Sequence, residues 1–278
     1  MNALVNRTTT PTQGPKRIVE RIVQMKLSRQ HWGPKKVIDR LRTLEPGRCW
    51  PADSTAGEIL KRAGPVKPKR RRRRHVAADP PALVECKAPG ESWSADFKGD
   101  LQLTRGPRCC PLTITDNHSR YLLQWRALRR TATEAVIPWF EWVFREHGIP
   151  DTIRTDNGAP FASLALGGIS WLSTWWIRLG IRAERTRPAK PSENGRHERM
   201  HRSLKEAVIS PPAATLAQQQ RRFDDFVHEY NWERSHESLK RKTPASVHRP
   251  SNRAYPLKLA DSEYDTTDAT VRKVRHNG

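Results

Sequence analysis

Acid and sulfur are scarce in this chain. Asp plus Glu number 29 against 51 Lys plus Arg, a formal net charge of +22. That imbalance argues against a polycationic partner and in favour of a polyanionic one, because the surface must present a strongly positive field. The four cysteines, Cys49, Cys86, Cys109 and Cys110, contain no CxxC pair. Two adjacent cysteines cannot easily bridge each other or complete an ordinary zinc site, so all four read as reduced and structural. Long apolar runs are also missing. None approaches the roughly 20 residues that cross a bilayer. The opening stretch MNALVNRTTTPTQG lacks the apolar centre of a signal peptide. The expectation is a cytoplasmic, nucleoid-associated protein with no membrane partner.

What is present points to a folded chain. With 278 residues, 36% of them hydrophobic, and ten Trp, it can build one sizeable core and a smaller domain. Apolar residues at 18, 19, 22, 23 and 27 fall at helical spacing, and Val37, Ile38 and Leu41 follow after Pro34. Thr55 with Glu58 fits a capping box for a third helix, whose apolar face is Ala56, Ile59, Leu60 and Ala63 and whose stop is Gly64. Short helices with tight connections in a basic context predict a helix-turn-helix unit over 1–66, incomplete at its N-terminus, with Lys61 and Arg62 near DNA phosphates. A small helical bundle with a solvated basic face is the plainer alternative.

Residues 67–85 read as a basic linker. Its five consecutive arginines, Arg70, Arg71, Arg72, Arg73 and Arg74, repel one another and cannot be buried. Such an arm releases counterions from DNA whatever the base sequence, and so adds affinity without specificity.

From Cys86 the pattern changes. Runs at Ser92 to Phe97, Cys110 to Thr115 and Tyr121 to Leu128 predict three strands joined by hairpin turns. A helix follows, opened by a capping box of Thr131 with Glu134, burying Val136, Phe140, Val143 and Phe144, and closed by Gly148 and Pro150. Pro138 predicts a kink or early break in it. A short strand at Thr152 to Thr155, a Trp-rich helix around Ile169 to Leu179, a strand near Ile181 and helices at about 194–208 and 216–230 complete a mixed α/β sheet flanked by helices.

Three acids stand out. Asp96, within Trp93 to Phe97, is a carboxylate among apolar neighbours, costly unless bonded, paired or bound to metal. Asp156 directly follows the strand Ile153 to Thr155. Glu198 lies on a helix that Asn194 would cap, sharing a face with Arg202 and Lys205. Each has a plainer reading, as turn or capping residue for the aspartates and as an intrahelical ion pair for the glutamate. Asp116 also follows a strand, but it begins the turn 116–120, and a hairpin role suits it better. His197 and His201, at i and i+4, lack further ligands for zinc and read as DNA-facing or structural.

The segments WSADFKG, IRTDNGAPFAS and RPAKPSENGRHERMHRSLKE resemble, in this order, the three catalytic blocks of insertion-sequence transposases and retroviral integrases. YNWERSHESLKRKTPASV is similar to the segment that closes the core in bacterial members. The resemblance runs from about Ser92 to Pro250. It implies a ribonuclease H-like core, a mixed five-stranded sheet flanked by helices, over 86–250, with 251–278 as the start of a truncated small β domain. It implies that Asp96, Asp156 and Glu198 hold two Mg²⁺ ions, for which Mn²⁺ can substitute. The intervals between them are 59 and 41 residues. The second is longer than usual, and the extra residues are expected in the loop and Trp-rich helix from Leu164 to Trp176. Glu193 would give the more usual spacing, but it precedes Asn194 and Gly195, whereas the family's Glu follows that step. Asn157 would shape the turn beside the metals, and Arg202 and Lys205 would position phosphates.

The activity so implied is metal-dependent phosphodiester hydrolysis at transposon ends followed by strand transfer into target DNA, performed by a homo-oligomer on double-stranded DNA. Two rivals stay open: a non-catalytic DNA-binding remnant or inhibitor of such an element, and a stand-alone nuclease on the same fold.

Overall fold

The computed structural model describes residues 15–64, 86–97, 99–162, 169–185, 208–209 and 211–259. The chain opens with α1 (Pro15–Ser28), α2 (Pro34–Leu44) and α3 (Asp53–Arg62). Ile22, Trp32, Ile38, Leu41, Ala56 and Leu60 close a core of their own between these helices. Leu27, expected to face it, is instead exposed at the last turn of α1. Trp32 and Trp50, from the connections, supply the bulk that it does not. The expected capping box at Thr55 does not form, because α3 starts three residues earlier, with Ala52 at the N-cap, and Glu58 pairs with Lys61 at 2.5 Å. The α2–α3 connection spans residues 45–52, longer than the three- or four-residue turn of a compact helix-turn-helix, about half its length.

The sheet follows. β1 (Ser92–Phe97) pairs antiparallel with β3 (Arg108–Asp116), which pairs antiparallel with β4 (Leu122–Leu128). β1 also runs parallel to β5 (Thr152–Thr155), and β5 parallel to β6 (Arg182–Arg185). The order β4–β3–β1–β5–β6 is a ribonuclease H-like mixed sheet. A sixth strand, the two-residue β2 (Leu101–Gln102), takes the count beyond the five expected. It continues the ladder that β1 leaves at Phe97↔Leu112, resuming one residue out of register at Leu101↔Cys109. Gly99, at φ +68 in the break, adopts the left-handed conformation that permits the shift.

Alternation along the strands sends side chains to two cores. On one face Trp93, Ala95, Leu112, Ile114 and Ile153 pack beneath α4 (Thr133–His147) and α5 (Trp171–Arg178). On the other, Trp125 of β4 stacks on Phe223 of α6 (Leu216–His228) with ring centroids 3.8 Å apart. Helix α4 runs unbroken through Pro138, which sits early enough that the one N–H it lacks would have bonded into the first turn. Its N-cap is Ala132, so the expected Thr131 box is absent as well. Helix α6 ends in a π-helical turn over Glu229–Glu233, and a short α7 (Pro244–Val247) follows. The predicted helix near 194–208 and the tail beyond 259 lie outside the described residues. No described helix is long and apolar enough to cross a membrane.

Candidate active site

The parallel pairing of β1 with β5 carries Asp96 and Asp156 to the same end of the sheet. Trp93 and Ala95 enter the α4 core, so Ser94 and Asp96 face the opposite side of the sheet. Ile153 does the same for β5, leaving Arg154 and Asp156 on that same side. Ser94 is in register with Arg154. Two residues further along each strand, just beyond the last paired positions, lie Asp96 and Asp156, on the same side of the sheet. Both are half-buried at the C-terminal ends of their strands.

Each strand end is held by its surroundings. Thr113, opposite Asp96 in the β1–β3 register, donates its hydroxyl to the Asp96 carbonyl oxygen at 3.2 Å. Phe97 packs on Phe161 with centroids 5.6 Å apart, which ties the end of β1 to the turn that follows β5. In that turn the Gly158 N–H donates to Asp156 Oδ1 at 3.1 Å. A Cβ on Gly158 would stand 3.2 Å from Asp156 Oδ2, so a side chain there would crowd the carboxylate. The Phe161 N–H then closes the turn on the Gly158 carbonyl at 3.0 Å.

Behind the aspartates lies a charged row that the sequence reading missed. Ser94, Arg154 and Glu184 are adjacent on β1, β5 and β6, and Arg154 Nη2 bonds Glu184 Oε2 at 3.0 Å. Its signal was available: an arginine between two inward-facing strand residues must be either paired or exposed.

The remaining expectations separate clearly. Asp116 caps its hairpin, accepting from Ser119 N at 3.0 Å, from the Ser119 hydroxyl and from His118 N at 3.4 Å. Burial alone would raise its pKa, but hydrogen bonds from His248 and Ser119 outweigh burial and hold it below the ordinary carboxylate value. The cysteines are unpaired with one another. Burial pushes Cys109 up to about 12 and Cys86 to about 11, so neither offers a thiolate near neutral pH. Asn157 is exposed beside Asp156, and Lys61 and Arg62 are exposed at the end of α3. Glu193, His197, Glu198, His201, Arg202, Lys205 and the run Arg70 to Arg74 lie outside the described residues.

Among the described residues no group of three or more His, Cys, Asp or Glu is close enough to hold a metal ion. The two aspartate carboxylates at this end of the sheet are hard oxygen ligands. They suit an oxygen-preferring divalent cation such as Mg²⁺ and not one that selects sulfur or imidazole.

Comparison with known proteins agrees with this architecture. A family profile described as integrase core domain matches residues 87–191, and a second with the same description matches 179–244. The chain belongs to the integrase core family of insertion-sequence transposases and retroviral integrases. It is 25% identical over 236 residues to the uncharacterized 39.2 kDa protein of insertion element IS476 of Xanthomonas euvesicatoria, covering 84% of this chain and 65% of that protein. It is 26% identical over 188 residues to the uncharacterized 31.7 kDa protein of insertion element IS407 of Burkholderia multivorans, covering 67% and 65%. The matches thus span about two thirds of these relatives' own length. The Gag-Pol polyprotein of feline leukemia virus is 28% identical over 129 residues, 46% of this chain and 7% of that one. Among solved structures, the simian T-cell lymphotropic virus intasome in complex with a PP2A regulatory subunit aligns with a TM-score of 0.49 at 18% identity, covering 90% of this chain and 80% of that one.

Proposed function

We propose that the chain is a DNA transposase that cuts phosphodiester bonds at the ends of its element and joins the freed ends to target DNA. The observation that carries this reading is that Asp96 and Asp156 stand at the ends of two paired parallel strands within an integrase core. With Glu198 they would hold two Mg²⁺ ions, and Mn²⁺ can substitute. Such ions supply Lewis-acid activation of an oxygen nucleophile and stabilise the leaving oxyanion.

The chain's own residues do the rest. Asp96 and Asp156 present acceptor oxygens from rigid strand ends, which limits their movement. Gly158 fixes the Asp156 carboxylate through its N–H and leaves room for it by having no side chain. Asn157 lies at the mouth of the turn, where a DNA strand would pass. Arg202 and Lys205 would position phosphates beside Glu198. The unit over 1–66, with Lys61 and Arg62, and the linker over 67–85, with Arg70, Arg71, Arg72, Arg73 and Arg74, would add contacts to duplex DNA. The catalytic core would extend over 86–250. Two element ends must be cut and joined together, so the working form is a homo-oligomer on double-stranded DNA.

The test is nicking and joining of labelled DNA carrying the element's ends, with Mg²⁺ or Mn²⁺, by wild type, Asp156→Asn and Glu198→Gln. The proposal predicts that wild type does both, and that each variant still binds DNA but loses at least about a hundredfold in rate, equivalent to roughly 2.7 kcal/mol of barrier. Wild-type protein that binds these ends but never cuts them would support the non-catalytic binder instead.

A further inference from the structure

We infer that the Arg154–Glu184 pair, its arginine buried and its glutamate half-buried, is a positioning element of the carboxylate site, setting the net charge that Asp96 and Asp156 present to a divalent cation. This rests on the reading that those aspartates hold such a cation.

The pair stands one row behind the aspartates on the same face of the sheet. Arg154 is in register with Ser94 and Glu184, and Asp156 is two residues beyond Arg154 on the same side of β5. Arg154 is only 8% exposed. Its Nη2 reaches Glu184 Oε2 at 3.0 Å, while its buried Nε has no hydrogen-bond partner among the described residues. Glu184 Oε1 also lies 3.4 Å from Nε of the more exposed Arg182.

Stability does not require this arrangement. A buried ion pair seldom outperforms apolar residues of the same size, and an arginine nitrogen buried without an acceptor makes this one less favourable still. Its placement is better explained by charge. Two residues along a strand is about 7 Å, close enough in a partly buried setting for a full charge to act strongly on a dication. With both partners present the row behind the aspartates is neutral, and the site keeps the charge of its own carboxylates. Removing one partner would leave the other's charge to act on the cation.

The two halves therefore have opposite effects. Glu184→Gln leaves the Arg154 cation uncompensated and weakens Mn²⁺ binding, on the order of tenfold. Arg154→Gln leaves the Glu184 carboxylate with only the more exposed Arg182 and tightens Mn²⁺ binding, by a smaller factor. The double variant returns to within about threefold of wild type, because the row is neutral again. A merely structural role would weaken binding in both single variants, and would add to or exceed that loss in the double.

The experiment is titration of the full-length protein with Mn²⁺ alone, followed by electron paramagnetic resonance of the free ion, with Asp156→Asn as the control for the site. Thermal unfolding in EDTA checks that each variant is folded. If Arg154→Gln does not fold, Glu184→Gln and the double variant still decide the matter, since restoration in the double is the diagnostic result. Opposite shifts, or restoration, support the inference. Same-sign shifts, no shift, or loss of binding in the double overturn it. Wild type that binds no Mn²⁺, or binds it as well as Asp156→Asn does, overturns the underlying site instead.

Discussion

Asp116 and Asp156 both close strands of the same sheet, and their surroundings give them different work. Asp116 is fully buried and committed to its hairpin and to His248, whose Nδ1 is 3.7 Å away. Asp156 is half-buried at the edge where β1 and β5 end together. The Asp116 cluster has a consequence for pH. His248 Nε2 lies 3.3 Å from His147 Nδ1. Burial, and then the neighbouring His248, push the His147 pKa down to about 4. An unfolded-chain imidazole titrates near 6.5. The folded value is depressed, so the unfolded chain takes up this proton more readily. The stability tied to neutral His147 is intact above about pH 6.5 and drains away as pH falls toward 4. Between pH 7 and pH 5 that amounts to about 2 kcal/mol. Urea unfolding of wild type and His147→Gln at the two pH values measures it. The variant should lose roughly that much less stability on acidification, and an unchanged loss would mean that His147 is not held neutral.

At the scale of elements, the outer edge of β4 is sealed by two amide side chains. Asn231 accepts from Leu122 N at 2.9 Å and donates to Leu122 O at 3.0 Å. Gln220 accepts from Ala127 N at 2.8 Å and donates to Trp125 O at 2.9 Å. They satisfy backbone groups that an edge strand would otherwise offer to another chain. Asn231→Leu strips both bonds from a buried position and is expected to cost about 2 kcal/mol or more, read as a lower urea midpoint. Elements of this kind were only partly legible in the sequence. β1, β3, β4 and β5 and the buried face of α4 could be read from apolar patterning, because side-chain direction repeats locally. The failed boxes at Thr55 and Thr131 show the limit, since Ser, Thr and Glu at the right spacing do not fix where a helix begins. Three blocks in order put forward Asp96 and Asp156 from the sequence. The placement of both at one end of the sheet depends on a parallel pairing between residues 60 apart in sequence, and no local pattern encodes that register. Arg154 with Glu184 was missed for the same reason.

At the scale of the whole molecule, the three-helix unit is strapped to the last part of the 86–250 region, from the end of α6 to Arg241. Glu229 accepts from Trp32 Nε1 at 2.6 Å and lies 2.7 Å from His31 Nε2 and 3.3 Å from Arg29 Nε. Glu233 adds Arg29 and Arg40, and Arg241 joins Asp39 to Asp53. Burial alone would raise the pKa of Glu229, but these partners hold it below the usual carboxylate value. Glu229→Ala leaves Trp32 and His31 without their acceptor and should loosen this docking by about 2–3 kcal/mol. Hydrogen exchange should then speed up in α1 and α2 but not in β3, whereas uniform acceleration would show that the strap stabilises the whole fold. The positive charge of the molecule carries a further expectation: affinity for DNA of any sequence should fall steeply with added salt. A flat salt response would disconnect that charge from DNA.

The claim on which the rest depends is that Asp156 is a metal-binding carboxylate paired with Asp96. Replacing it with cysteine exchanges a hard oxygen ligand for a soft sulfur one, which Mg²⁺ disfavours and Mn²⁺ accepts more readily. The decisive measurement is the cleavage rate of end-bearing DNA by Asp156→Cys in Mg²⁺ and in Mn²⁺, each relative to wild type. Activity should be lost in Mg²⁺ and partly restored in Mn²⁺. Equal activity of variant and wild type in Mg²⁺ would contradict it.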